Sequence, residues 1–157
     1  MKQIIKGDQF CLTMDTHFEE VMLSCRNIKR KNQDDTWITQ ELINVFLDLH
    51  LKGYAHSIEV WENDELVGGL YGLALGKVFY GESMFSKKSN ASKFAFIKLV
   101  QWLKKHEFKV IDCQQETEHL KQFGAELISK SQFYTLLKQN VFEQTLFGPW
   151  SETELNK

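Results

Sequence analysis

No stretch of this chain approaches the roughly 20 apolar residues of a membrane-spanning helix. The opening MKQIIKGDQF has no apolar h-region, which argues against a secretory signal. Cysteine is scarce. Cys11, Cys25 and Cys113 are an odd number with no CxxC pair, which excludes a disulfide frame or a zinc ribbon and predicts reduced thiols in a cytoplasmic protein. An excess of one charge is missing too: the formal net charge is −2, so any nucleic-acid contact has to come from local patches. There is one proline, no internal repeat and no low-complexity stretch, hence no linker. What is present is ordinary globular material. The 157 residues suit one domain, and 43% hydrophobic with 13% aromatic residues can fill a core. We expect a single domain over 1–150 and a polar tail over 151–157.

FCLTMD (10–15) alternates apolar and polar residues as a strand does. Thr16 and Glu19 read as a capping box for a helix with Phe18, Val21, Met22, Cys25 and Ile28 on one face. That helix ends in a basic cluster, Arg26, Lys29, Arg30 and Lys31, followed by the polar loop KNQDD. Thr39 caps a second helix, and Gly53 stands where a helix end wants a positive φ. Three strands follow: AHSIEVW (55–61), ELVGGLYGLAL (65–75) and KVFYGESMF (77–85), joined by short hairpin turns. Gly68, Gly69 and Gly72 in the middle strand predict a bulge or a close backbone approach. A helix runs from about Ser89 or Asn90 to His106, then KVIDCQ (109–114) is a strand. A short helix closes at Gly124, AELIS (125–129) reads as a strand, and Ser131 caps a last helix through Lys138.

The expected order is β-α-α-β-β-β-α-β-α-β-α, an α/β (α+β) mixed sheet covered by helices. This order is similar to that of the GNAT acyltransferase fold, in which the fourth and fifth strands splay apart around an acyl donor. Here those strands carry GESMF and IDCQ. The usual coenzyme A loop of that fold is a glycine-bearing run whose amides hold a pyrophosphate. The corresponding stretch here, Ser86 to Lys93, has no glycine, which favours another acyl donor.

Six blocks then carry a more specific likeness: TWIT (36–39), AHSIEVW (55–61), ELVGGLYG (65–72), GESMFS with SNASK (81–93), IDCQ (111–114), and His119 with Gly124-Ala125. In order and spacing, over about residues 10 to 150, they resemble the leucyl/phenylalanyl-tRNA–protein transferase family. The resemblance implies a GNAT-like catalytic domain that uses neither coenzyme A nor a metal. It implies transfer of leucine or phenylalanine (and methionine) from the 3′ end of an aminoacyl-tRNA to a protein with N-terminal arginine or lysine, marking it for degradation. It also implies a further N-terminal domain that helps hold the tRNA end; this chain begins about where that domain would end. Gln115-Glu116-Thr117-Glu118 replaces a more apolar, amide-bearing stretch of the family.

On this likeness the catalytic set is Asp112, Gln114 and Glu82. The glutamine contacts the attacking amine, and the carboxylate orients or polarises it. Two positions apart on one strand, Asp112 and Gln114 would share a face. Leu70, Phe79, Met84, Phe96, Leu99 and Ile111 match the donor's apolar pocket, where a flexible Met suits both Leu and Phe; the same residues also read as plain core. Trp37 is a candidate to stack on the terminal adenine, or simply to pack. Ser86 and Asn90, at the helix opening, are candidates to hold a donor carbonyl or anion. Arg26, Lys29, Arg30, Lys31, Lys87, Lys88 and Lys93 are candidate phosphate contacts, or a solvated face. His56 and His119 read as structural, and Cys113 as buried and pointing away from Asp112. Three alternatives stay open: the same donor with a small-molecule or dedicated peptide acceptor, a coenzyme A-dependent N-acyltransferase, and a non-catalytic module binding basic N-termini.

Overall fold

A computed structural model of the chain describes residues 9–28 and 36–151. Its elements are β1 (Cys11–Met14), α1 (Phe18–Asn27), α2 (Gln40–Leu51), β2 (Ala55–Glu62), β3 (Glu65–Leu75), β4 (Val78–Ser86), α3 (Ala91–Lys105), β5 (Val110–Asp112), α4 (Glu118–Lys121) and α5 (Lys130–Asn140). One five-stranded sheet runs in the order β1-β2-β3-β4-β5. The first three pairings are antiparallel and β4–β5 is parallel, as expected when a helical crossover, here α3, returns the chain to the sheet.

Alternation along the strands divides the core into two layers. Leu70, Phe79, Val60 and Ile58 point to one face, where Phe96, Leu99, Trp102 and Leu103 of α3 meet them. Tyr71 and Phe85 point to the other, against Phe18, Val21 and Met22 of α1 and Ile43 and Phe46 of α2. Two glycines of β3 have packing reasons. A Cβ on Gly68 would stand 2.6 Å from that of Ala91, so this glycine lets α3 begin directly on the sheet. Gly72 sits at a register shift against β4, where a Cβ would meet the Tyr80 carbonyl at 2.2 Å.

The Thr16–Glu19 capping box does not form. His17 is the N-cap of α1, with no side-chain cap bond, and Thr16 Oγ1 donates instead to the buried Glu59 Oε2 at 2.9 Å. Glu59 also accepts from Thr13 and Ser57. A carboxylate taken out of water has first claim on nearby donors. The strand read over 109–114 shrinks to Val110–Asp112, because Asp112 Oδ1 accepts the Gln114 N–H at 2.9 Å and Gln114 takes φ 59. That Asx-type turn ends the extended run. The strand expected over 125–129 is absent, since no strand lies beside it, and the order becomes β-α-α-β-β-β-α-β-α-α. Ser129, not Ser131, caps α5, in a reciprocal capping box with Gln132. The KNQDD loop, Lys29, Arg30, Lys31 and positions 152–157 of the tail lie outside the described residues.

Candidate active site

β4 pairs with β5 only as far as Tyr80↔Asp112. From Gly81 onward β4 has no strand neighbour on that side among the described residues, because β5 has already turned away at Asp112. A cavity of about 520 Å³ opens in this gap. Leu70 of β3, Phe79 and Met84 of β4, Phe96 and Leu99 of α3 and Ile111 of β5 all line it. Trp37, 44% exposed, stands in the same wall. Every residue expected in the apolar pocket is therefore brought to one place.

The polar side of the cavity carries Glu82, Gln114, Gln115, Thr117 and His119. Gln114 Nε2 donates to Glu82 Oε1 at 3.2 Å. A carboxylate accepts only, so this bond fixes the amide: Gln114 Oε1 is left free to accept from an incoming donor. Burial pushes the Glu82 carboxyl above its ordinary range; the Gln114 bond opposes this and the Asp112 charge adds to it. Burial and then the Asp112 charge likewise raise Tyr80 and Cys113. The His119 imidazole is pushed down by burial and by the Lys93 charge, which favours its neutral form.

The sequence pattern predicts that Asp112 and Gln114 share a strand face; they do not, because β5 ends at Asp112 and Gln114 turns off it at φ 59. Asp112 does not line the 520 Å³ cavity but a groove behind the turn. It reaches the site through the Gln114 backbone. Ser86 and Asn90 also lie outside the cavity. Ser86 Oγ donates to the Lys88 carbonyl at 2.7 Å and accepts the Ser92 N–H at 3.3 Å. Asn90 takes the left-handed N-cap position with φ 69 and no side-chain cap bond. Cys113 is half-buried in the shared turn rather than sequestered, and it lines the cavity.

Among the basic candidates, Lys88 pairs with Glu62, Lys87 stands over the Phe85 ring and Arg26 donates to Gln40. The residue undervalued by sequence is His119. The short α4, capped by Thr117 Oγ1, carries it into the cavity wall with its ring edge on Phe123. Its place in the family-like block with Gly124-Ala125 was the available signal. His56 is buried, bonded to Asp15 at 2.7 Å and stacked on Trp150. Among the described residues no three His, Cys, Asp or Glu converge as metal ligands, and no described helix is long and apolar enough to cross a membrane.

A mixed sheet whose fourth and fifth strands part around an apolar cavity is the GNAT arrangement. Solved structures agree on the fold: an aminoglycoside acetyltransferase from a soil metagenomic sample superposes with TM-score 0.54 at 11% identity, covering 78% of this chain and 93% of that one. An aminoglycoside N-acetyltransferase solved with CoA gives TM-score 0.50 at 10% identity, covering 91% and 93%. The chain belongs to the leucyl/phenylalanyl-tRNA protein transferase family, whose pattern matches residues 1–138. The transferase of that name from Hydrogenovibrio crunogenus is 50% identical over 147 residues, 94% of this chain and 57% of that protein. Those from Desulfatibacillum aliphaticivorans and Saccharophagus degradans are 46% and 50% identical, over 96% and 92% of this chain and 65% and 59% of theirs. The chain thus spans about three-fifths of the length of these relatives.

Proposed function

We propose that this chain transfers leucine or phenylalanine from the 3′ end of an aminoacyl-tRNA to the α-amine of a polypeptide with N-terminal arginine or lysine. The observation that carries the reading is the apolar cavity closed on its polar side by the Glu82–Gln114 pair. The donor's side chain occupies the cavity against Leu70, Phe79, Met84, Phe96, Leu99 and Ile111, and Trp37 takes the adenine face. A donor of this kind places the protein in the cytoplasm.

An aminoacyl ester is already activated. The amine nitrogen attacks the ester carbonyl, the N–C bond forms, and the C–O bond to the ribose breaks. One amine proton ends on the departing 3′-oxygen. The attacking amine must be neutral, and its reference pKa of about 7.7–8.0 leaves a useful fraction so at pH 7. What remains for the protein is orientation and charge placement. Gln114 Oε1 accepts from the amine, Glu82 holds the Gln114 amide the right way round, and Asp112 holds the turn that presents it. The Glu82 and Asp112 carboxylates favour a cationic acceptor residue.

The test is a transfer assay with labelled Leu-tRNA and Phe-tRNA offered to Arg-, Lys- and Ala-ended peptides, beside an acetyl-coenzyme A arm. Transfer to the Arg- and Lys-ended peptides is expected. Acetyl transfer from coenzyme A, with charged tRNA inert, would overturn the proposal.

A further inference from the structure

A second groove, of about 380 Å³, lies behind the turn that follows β5. One wall is β5 itself, Val110–Asp112. The other includes the extended stretch 125–128. The sheet order ends at β5, so no described strand pairs with its outer edge. Residues 126–128 make no backbone hydrogen bond to any described residue. They nonetheless have strand-like composition, and Leu127 and Ile128 are left 74% and 44% exposed in the groove wall. Two walls of unpaired backbone with apolar side chains between them are what an added strand satisfies.

We propose that this groove receives the acceptor polypeptide, extended and antiparallel to β5. Its first residue lies at Gln114 and Asp112, and its next residues run back along Ile111 and Val110. The inference rests on the aminoacyl transfer proposed above. Continuity chooses the occupant: Ile111, Cys113, Gln114, Gln115, Thr117 and Leu120 line both the groove and the donor cavity. An amine at Gln114 therefore stands at the mouth of the donor cavity while the chain behind it enters the groove. Charge agrees. Asp112, at the amine end, and Glu126, in the facing wall, have no cationic partner among the described residues; of the groove's two lysines, Lys121 is bound to Glu116 and Glu118 and Lys130 stands over the Tyr134 ring. At about 3.4 Å per residue, the three residues of β5 engage about three residues of acceptor.

The experiment has two arms on the intact chain. In the first, kcat/KM is measured with Leu-tRNA and a series Arg-Ala, Arg-Ala-Ala and onward to a hexapeptide. It should rise by about fivefold per added residue, as one net backbone hydrogen bond allows, and level off once three residues are present. N-methylation of the third residue should cancel the gain, and Leu127→Ser should weaken the hexapeptide while sparing the dipeptide. In the second arm, hydrogen exchange with excess hexapeptide, free of tRNA, should show protection at 110–112 and 126–128. Transfer at equal kcat/KM for all lengths, without that protection, overturns the groove and leaves the transferase reading standing. Protection without transfer to any acceptor overturns the transferase reading and leaves the groove. Protection of 110–112 that depends on protein concentration and not on peptide assigns the edge to a second copy and overturns the proposal.

Discussion

Asp112 gives the sharpest test of how the site is built, because its carboxylate can serve by charge or by geometry and two substitutions separate the roles. Its Oδ1 accepts the Gln114 N–H at 2.9 Å, and this bond holds Gln114 at φ 59, aimed at Glu82. A hydrogen bond to a charged group contributes about 1.5–3 kcal/mol and a neutral one about 0.5–1.5 kcal/mol. Asp112→Ala removes the acceptor. If the loss falls on Gln114 placement, kcat/KM drops by roughly 10- to 150-fold, at 1.36 kcal/mol per tenfold. Asp112→Asn keeps an oxygen in place and loses only the difference, about 1 kcal/mol, or roughly fivefold. The assay is single-turnover transfer from Leu-tRNA to an Arg-ended peptide, with thermal melts to establish that both variants fold. Equal losses of 100-fold or more in both variants would mean that the charge acts on the reacting amine directly. A near-normal Asp112→Ala would mean that the turn does not position Gln114 at all.

The cavity, the half-buried Glu82 carboxyl and the C-terminal strap that carries Trp150 make further predictions. Met84→Trp overfills the donor cavity, so KM for Phe-tRNA should rise about tenfold or more and by more than that for Leu-tRNA; an equal rise would separate Met84 from side-chain selection. Glu82 has a raised native pKa, so between its ordinary 4.5 and that raised value the folded state binds more protons than the unfolded state, and stability falls as pH rises through the window. Glu82→Gln should accordingly raise Tm at pH 7 and lose that advantage below about pH 4.5, while transfer to basic acceptors falls; a Tm gain unchanged at low pH would contradict this sign. Trp150 is sandwiched between the His56 and Trp102 rings at 3.7 and 4.0 Å and nearly fully buried. Trp150→Ala should cost about 3–5 kcal/mol in urea unfolding, and a loss under about 1 kcal/mol would show that the strap is not part of the core.

Sequence pattern reached the apolar pocket because its residues obey two local periods. Leu70, Phe79 and Ile111 occupy inward positions of strands, and Phe96 and Leu99 belong to one helical stripe. What pattern did not reach depends on partners distant in the chain. Thr16 looks like a cap until Glu59, 43 residues on, is placed beneath it. AELIS has the composition of a strand, but a strand needs a neighbour, and none of the described residues supplies one. KVIDCQ reads as six extended residues, yet the Asp112 carboxylate sits one bond from the backbone it interrupts and ends the strand at its own position. The error about Asp112 and Gln114 sharing a face follows from that one hydrogen bond. His119 was undervalued for a related reason: its place in the cavity wall depends on where the chain sets a four-residue helix after β5.

The polar run after β4 has a part in this architecture that a missing glycine alone does not explain. At the opening of α3 the Ala91 N–H is already taken by the Lys88 carbonyl at 3.2 Å, and the Ser92 N–H by Ser86 Oγ. A phosphate arriving there would have to displace both. Lys88, in the same run, is bound to Glu62. Anion recognition at this helix end is thus weakened by bonds within the chain as well as by composition. Donor selection then has to draw on the cavity, which at about 520 Å³ lies within the range of small-molecule sites and is walled mainly by apolar side chains. Within the splayed strands of this fold, the aminoacyl transfer proposed above rests grip on the donor's acyl side chain rather than on its phosphates. Glu82 and Met84, two positions apart on β4, line the same cavity, so one strand end presents both a carboxylate and a flexible thioether to it.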